Sequence, residues 1–285
     1  MRSIVITGAS TGIGHATAKF LLDRGFRVFG SVRKQSDAER LQAEFGENFI
    51  PLLFDVTDAV AVFAAANQVR AALNGETLAG LVNNAGVAVS GALLDVSVVE
   101  FRQQLDVNVV GPVIAIKAFA PLLGADPVMK GPPGRIVMMS SLSGQFGNPM
   151  LSPYTASKFA LEGLAECLRR EFMLFGIDVL VIAPGPVRTP IWDKAEAIDM
   201  ARFSASPFLP PLQKLRTMML KLGRAGLAPE KIAELVHQAL TALRPKARVV
   251  TSPEPVQTFI AGLLPRRWAD RVIAGQLGLG PRPRG

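Results

Sequence analysis

Ile4-Val5-Ile6-Thr7-Gly8-Ala9-Ser10-Thr11-Gly12-Ile13-Gly14 lies almost at the start of the chain and decides the fold. The apolar β-branched residues predict a strand over 4–7. The glycines permit a tight turn and a close backbone approach, and the amphipathic stretch 12–24 predicts a helix opening out of that turn. A helix N-terminus carries unpaired N–H groups and the positive end of a dipole. Gly8, Ser10, Thr11, Gly12, Ile13 and Gly14 therefore form a candidate cradle for a pyrophosphate. A plain glycine-rich turn is the alternative, and the position between a strand and a helix argues against it.

Outward from this unit the pattern repeats. Short Val/Ile/Leu-rich runs at 27–32, 49–54, 78–83, 135–140, 177–183 and 247–251 predict strands. Helical stretches fall at 37–45, 59–73, 96–123, 155–175 and 229–242. Nearly continuous apolar strands separated by helices predict an α/β domain. Its seven-stranded sheet is mostly parallel and doubly wound, a Rossmann arrangement with helices on both faces. The domain is expected over 1–255, with 256–285 as a basic amphipathic extension. The stretch 190–226 breaks the rhythm with Trp192, Phe203, Phe208, Leu209, Met218 and Met219 among Pro207, Pro210 and Pro211. It follows a strand's C-terminal end, where such folds bind ligands, and reads as a substrate lid; a packed pair of surface helices is the alternative.

Composition excludes several function classes. The chain has 285 residues, is 49% hydrophobic and has a net charge of +8. The basic residues are scattered except in the tail, where Arg266, Arg267, Arg271, Arg282 and Arg284 face Asp270 alone, and no aromatic-studded basic face accompanies them. Nucleic acid is therefore not an expected partner. Two histidines give little support for a metal site or a Ser-His-Asp triad. The single cysteine, Cys167, excludes an internal disulfide and reads as a small buried hydrophobe; a reducing, cytoplasmic setting is expected. The first strand begins at once, leaving no room for a signal peptide, and no apolar run suggests a membrane span.

The chain's one tyrosine, Tyr154, precedes Lys158 by four residues. On a helix the two share a face, and a nearby ammonium favours a phenolate. Such a pair can give a proton to a carbonyl oxygen or take one from an alcohol. Tyr-x-x-x-Lys alone is common on helix surfaces, so its weight comes from company: the glycine run, Asn83-Asn84-Ala85-Gly86, Asn108, Ser141, and Pro184-Gly185 followed by Val187 and Thr189.

Together, in this order, these motifs resemble the short-chain dehydrogenase/reductase family, well over 1–190 and more weakly beyond. The resemblance implies that Tyr154 is the acid–base residue and that Lys158 lowers its pKa and binds the nicotinamide ribose. It implies that Ser141 polarises the substrate oxygen. Ser140 and Ser143 compete for that role, and the thirteen-residue spacing to Tyr154 favours Ser141. Asn108 would fix a water near Lys158, or simply satisfy a break in its helix. Asn83, Ala85 and Gly86 would border the cofactor. Asp55 and Val56 would meet the adenine, although an aspartate there can also cap the next helix. Pro184, Val187 and Thr189 would line the nicotinamide end, with Thr189 at the carboxamide.

Members preferring NAD carry an acid at the end of the second strand. Here Val32 is followed by Arg33 and Lys34, and an arginine pairs with a 2′-phosphate. NADP(H) is therefore expected over NAD(H), although Thr11 is not the basic residue some NADP users carry in the glycine loop. Arg33 and Lys34 as solvated loop charges are the alternative.

The sequence is similar to the hydroxysteroid and retinol dehydrogenase branch, which implies an alcohol or ketone on a lipophilic skeleton. A reductase of polar acyl or sugar ketones would want more lid arginines than Arg202 and Arg216. A non-catalytic sensor would be expected to lack the tyrosine or lysine. By the same resemblance, the stretches 96–123 and 155–175 pair two copies into a homodimer or homotetramer. The tail either docks on its own domain or lies against a membrane. His15 reads as a packing or solvent residue, and Glu162 and Glu166 as solvent or dimer-face charges.

Overall fold

A computed structural model describes residues 1–280, leaving aside the side chains of Gln257, Phe259, Ala261 and Gly262. Arg282 and Arg284 of the basic tail lie outside the described residues. One seven-stranded sheet runs through the chain, formed by β1 (Ser3–Ile6), β2 (Arg27–Val32), β3 (Phe49–Leu53), β4 (Gly80–Asn83), β5 (Arg135–Met139), β6 (Asp178–Pro184) and β7 (Arg248–Thr251). Its order is β3-β2-β1-β4-β5-β6-β7, and all six pairings are parallel. The chain winds outward from β1 to β3, then returns to place β4 on the other side of β1. That reversal opens a crevice beyond the C-terminal ends of β1 and β4.

Both faces of the sheet are covered, which is why its strands carry apolar side chains on both sides. One core layer joins Val5, Leu81, Ile136 and Val179 to α3 (Ala59–Leu73), α5 (Gly111–Phe119) and α6 (Ser152–Glu171). The other joins Ile4, Val28, Val82 and Ile182 to α1 (Gly12–Leu22) and α9 (Pro229–Thr241). Caps fix the helix starts: Asp58 accepts from Ala61 N at 3.0 Å to open α3, and a Ser97–Glu100 capping box opens α4 (Val98–Leu105).

The stretch expected as one long helix is continuous but broken in type. A π-turn, Asp106–Val110, separates α4 from α5, and a 3₁₀ turn, Ala120–Leu123, ends the run. By length and composition the 26 residues Val98–Leu123 could cross a membrane, contrary to the sequence expectation. Their apolar character has another cause here, because Ala115, Ile116 and Phe119 are buried in the core layer against the sheet. Cys167 also departs from expectation and is exposed on α6.

A third cluster lies beyond the sheet. The stretch after β6 forms α7 (Ile191–Glu196), a 3₁₀ turn (Met200–Phe203) and α8 (Leu209–Arg224). Phe203, Leu212 and Leu215 pack there with Ala92, Met150 and Leu151. Trp192 pins the unit: its indole N–H donates to the Val187 carbonyl at 2.7 Å, and its ring fills the space a Cβ on Gly223 would need. After β7 come α10 (Pro255–Leu263) and α11 (Arg266–Leu277). Ile273 and Leu277 of α11 join this third cluster, so α11 docks on its own domain; its outer face carries exposed Trp268 and Val272 beside Arg267 and Arg271.

Candidate active site

The site is built at the C-terminal ends of β1, β4, β5 and β6. Gly8 (φ +68°) and Gly12 (φ +61°) adopt the left-handed backbone that favours glycine. A Cβ on Gly14 would stand 2.2 Å from the Gly8 carbonyl, so the first turn of α1 is pressed directly onto the loop. Thr11 occupies the N-cap of α1 without a side-chain capping bond, which leaves the helix's leading N–H groups available. Those features fit an anionic pyrophosphate.

Loop and neighbouring strand end are laced together. The Thr7 hydroxyl accepts from Asn84 N at 2.9 Å and Ala85 N at 3.0 Å, and the Asn84 amide donates to the Thr7 and Gly8 carbonyls at 2.9 and 3.1 Å. Ser31 accepts from Gly8 N at 2.9 Å, and Arg40 donates to the Ser10 carbonyl at 2.8 Å. Sequence reasoning passed over Thr7, Ser31 and Arg40 as supports of this loop, because each acts between separate elements of the chain rather than within a motif. Thr189 reaches the same place: a Cβ on Gly12 would lie 3.2 Å from it.

The remaining cofactor candidates divide by what they can present. Asn83 is buried and donates to the Met138 sulfur, so it serves the sheet. Gly86 lies against Asn108, and Ile13 packs on the second core layer. Val56 is buried, and its side chain fills the space a Cβ on Gly111 would need. Pro184 and Val187 are buried at the end of β6 and just beyond it. Asp58, not Asp55, caps α3. Asp55 accepts from the Thr57 N–H at 3.0 Å and its hydroxyl at 2.8 Å, and faces Arg33 at 3.7 Å. Burial pushes its carboxyl up, but the Thr57 bonds and the Arg33 charge outweigh that and hold it below the ordinary value. Arg33 itself remains well exposed at the end of β2.

At the chemistry end, α6 starts with Pro153 in its first turn and carries Tyr154, Ser157, Lys158 and Glu162 along adjoining faces. Ser141 follows β5 and caps the 3₁₀ turn Leu142–Gly144, accepting from Ser143 N at 3.1 Å. Its hydroxyl also faces the Tyr154 phenol and acts to lower that phenol's pKa. Ser143 instead accepts from Asn148 at 3.0 Å, and the Ser140 hydroxyl is buried without a hydrogen-bond partner among the described residues. Of the three serines, Ser141 is the one brought to the tyrosine.

Lys158 is buried, and its ammonium donates to the Met139 carbonyl at 2.8 Å. It lies 5.7 Å from the centre of the Tyr154 ring. Burial pulls its pKa down to about 8, and the charge of Glu162 pushes it back up. The phenol moves opposite to the sequence expectation. Burial raises the Tyr154 pKa, Ser141 only partly offsets this, and the Lys158 ammonium is engaged by a backbone carbonyl. Tyr154 is thus held as the neutral acid.

Asn108 sits in the π-turn, where the extra residue in the turn swings its side chain inward. Its amide accepts from Val87 N at 2.9 Å and donates to the Val87 carbonyl at 3.1 Å and to Ser157 at 3.0 Å. Ser157 in turn donates to the Tyr154 carbonyl at 2.7 Å. Gln104, one turn earlier and fully buried, clamps Val87 and Val89 in the same way. The sequence reading missed Gln104; its i, i−4 spacing from Asn108 was the available signal. It also misread Glu162, which is no solvent charge but makes a half-buried, two-point ion pair with Arg248. Glu166 does pair at the surface, with Arg170, and His15 pairs with Glu44.

A family model described as short chain dehydrogenase matches residues 2–199. The chain belongs to that family. Relatives of this short-chain dehydrogenase extend over nearly its whole length. It is 37% identical over 274 residues to an NADPH-dependent 3-dehydrocapnine reductase of Ornithobacterium rhinotracheale, covering 96% of each chain. It is 31% identical to human retinol dehydrogenase 5, covering 98% of this chain and 89% of the other. A solved short-chain dehydrogenase from Streptomyces avermitilis superposes with a TM-score of 0.75 at 26% identity, covering 99% and 98% of the two chains. The protein is therefore an oxidoreductase acting between CH–OH and C=O groups.

Proposed function

We propose that this short-chain dehydrogenase uses NADP(H) to interconvert an alcohol and a ketone on a lipophilic substrate, with Tyr154 as the proton donor and acceptor. The carrying observation is the buried Lys158 ammonium, 5.7 Å from the centre of the Tyr154 ring, with Ser141 capping the turn that faces the phenol. When bound, the dinucleotide supplies or takes the hydride. Ser141 orients the substrate oxygen toward the phenol. Tyr154, kept neutral by burial, gives its proton to that oxygen in reduction and takes it back in oxidation. Lys158 provides the adjacent positive charge that steadies the phenolate left behind. Asn108 and Gln104 hold the Val87–Val89 segment and, through Ser157, the start of α6.

Support for NADP(H) comes from Arg33, exposed at the end of β2 with no acid in the Val32 position, and from the NADPH-dependent relative. Support for a lipophilic substrate comes from the apolar lid cluster around Phe203, Leu212 and Leu215. The lid arginines are already occupied: Arg202 pairs with Glu100, and Arg216 donates to the Glu196 carbonyl. The exposed Trp268 and Val272, interleaved with Arg267 and Arg271, support contact of α11 with an anionic lipid surface. Exposed Val98, Val99, Val110 and Phe159 support pairing of two copies through α4–α6.

A panel of steroid, retinoid, acyl and sugar carbonyls, followed by loss of NADPH absorbance, tests the substrate class. Preference for the steroid and retinoid members is expected. Turnover confined to the acyl or sugar carbonyls would replace the lipophilic reading with the polar one.

A further inference from the structure

Beyond the tyrosine and lysine, α6 carries a third ionisable group on the same side. Glu162 stands one turn past Lys158, with its side chain 18% exposed. Arg248, the first residue of edge strand β7, grips its carboxylate at two points, Nε at 2.8 Å and Nη2 at 3.0 Å. Arg248 is in turn set by register opposite Val181 on β6. The serine turn makes room for the carboxylate. A Cβ on Gly144 would meet Glu162 Cγ at 2.9 Å, its Oε1 at 3.1 Å and the Ser140 hydroxyl at 2.9 Å. One carboxylate therefore touches three parts of the site's frame: the helix of Tyr154 and Lys158, the turn that presents Ser141, and the outer edge of the sheet.

The surroundings of the Lys158 ammonium are otherwise short of negative charge. On α6 the Tyr154 ring centre lies 5.7 Å from it and Glu162 stands one turn away, paired to Arg248 of β7 and not to the lysine; Ser140 and Ser141 belong to the turn after β5. The Met139 carbonyl is its hydrogen-bond acceptor, and Asn108 reaches the same helix through Ser157. A buried ammonium needs a counter-charge to stay protonated.

We propose that Glu162, held by Arg248, is a positioning residue whose carboxylate keeps the Lys158 ammonium charged beside Tyr154. The proposal rests on the reading of Tyr154 and Lys158 as the acid–base pair. It makes the two partners of one ion pair act with opposite sign. Loss of the Glu162 charge removes the anion that favours the ammonium. Loss of Arg248 frees that anion to act on Lys158 undivided. A clamp that merely held α6 against β7 would weaken equally from either side.

The test is an NMR titration of ¹³C-lysine-labelled, cofactor-free protein, with the Lys158 Cε signal assigned by its absence in Lys158→Arg. The wild-type midpoint is expected near pH 8. In Glu162→Gln it should fall by about one pH unit, and in Arg248→Gln it should rise. The double variant should follow Glu162→Gln. The alkaline limb of kcat/KM should move in the same directions. Midpoints that move the same way in both single variants, or in neither, overturn the proposal. Should Glu162→Gln fail to fold, Arg248→Gln decides by sign: a rise supports the coupling and a fall or no change overturns it. Tyr154→Phe separates the two ideas. Full turnover in that variant would end the acid–base reading, while the Lys158 titration would still report on Glu162.

Discussion

At the level of single residues, the site works by setting neutral and charged groups against each other in a buried setting. Tyr154 is pushed toward its neutral form and Lys158 is held near its titration point. Both directions follow from burial disfavouring the charged state, tempered by a specific neighbour, Ser141 in one case and Glu162 in the other. The sequence made the Tyr154–Lys158 pair visible through its four-residue spacing. It could not show that the ammonium would be engaged by the Met139 carbonyl, because that contact joins α6 to β5 across nineteen residues. Cofactor choice belongs to this scale too. Arg33→Ser should raise the KM for NADPH roughly ten- to a hundredfold, the range expected for losing a charge-assisted pair to a phosphate. The KM for NADH should change little. Equal effects on both dinucleotides would remove Arg33 from 2′-phosphate recognition.

At the scale of elements, the glycine positions carry sharp expectations. Gly14 admits no side chain, since a Cβ there would collide with the Gly8 backbone. Gly14→Ala should therefore cost about 1–3 kcal/mol, the range for overpacking, and should weaken dinucleotide binding as α1 is pushed off the loop. Gly163 is a fitting control, since a Cβ on it meets nothing within 4 Å. Thermal melts of Gly14→Ala and Gly163→Ala check this. An unchanged melting temperature in Gly14→Ala would mean that the loop yields easily.

The elements themselves were largely legible in the sequence. β2 and α3 fall where the apolar pattern puts them, and the other sheet strands shift by at most a residue or two at their ends. What stayed hidden was the π-turn at Asp106–Val110, because a one-residue insertion in a helix leaves no mark on a pattern of 3.6. The same insertion is what turns Asn108 inward. The Glu162–Arg248 pair was equally out of reach, being a contact between residues 86 positions apart.

Taken as a whole, the molecule is a parallel sheet that gathers chemistry at one end and adds a small apolar annex there. The 190–226 segment and α11 share one apolar cluster, so the C-terminal helix packs directly on that segment. This arrangement leaves Trp268 and Val272 facing outward between arginines. Co-sedimentation with vesicles rich in anionic lipid should pellet the wild type, and Trp268→Ser/Val272→Ser should reduce pelleting several-fold. Equal pelleting with neutral and anionic vesicles, or none, would remove the lipid contact. If those same substitutions instead altered the sedimentation coefficient, the face would be an interface between copies.

The most direct test of the account is turnover by Tyr154→Phe beside the wild type, on one carbonyl that the wild type reduces with NADPH. Binding of NADPH to both is followed in the same experiment by fluorescence. The account predicts matched NADPH binding and a loss of kcat of roughly 10²–10⁴-fold, the scale of a removed general acid. Retention of turnover within a fewfold of wild type, with NADPH still bound, would contradict it.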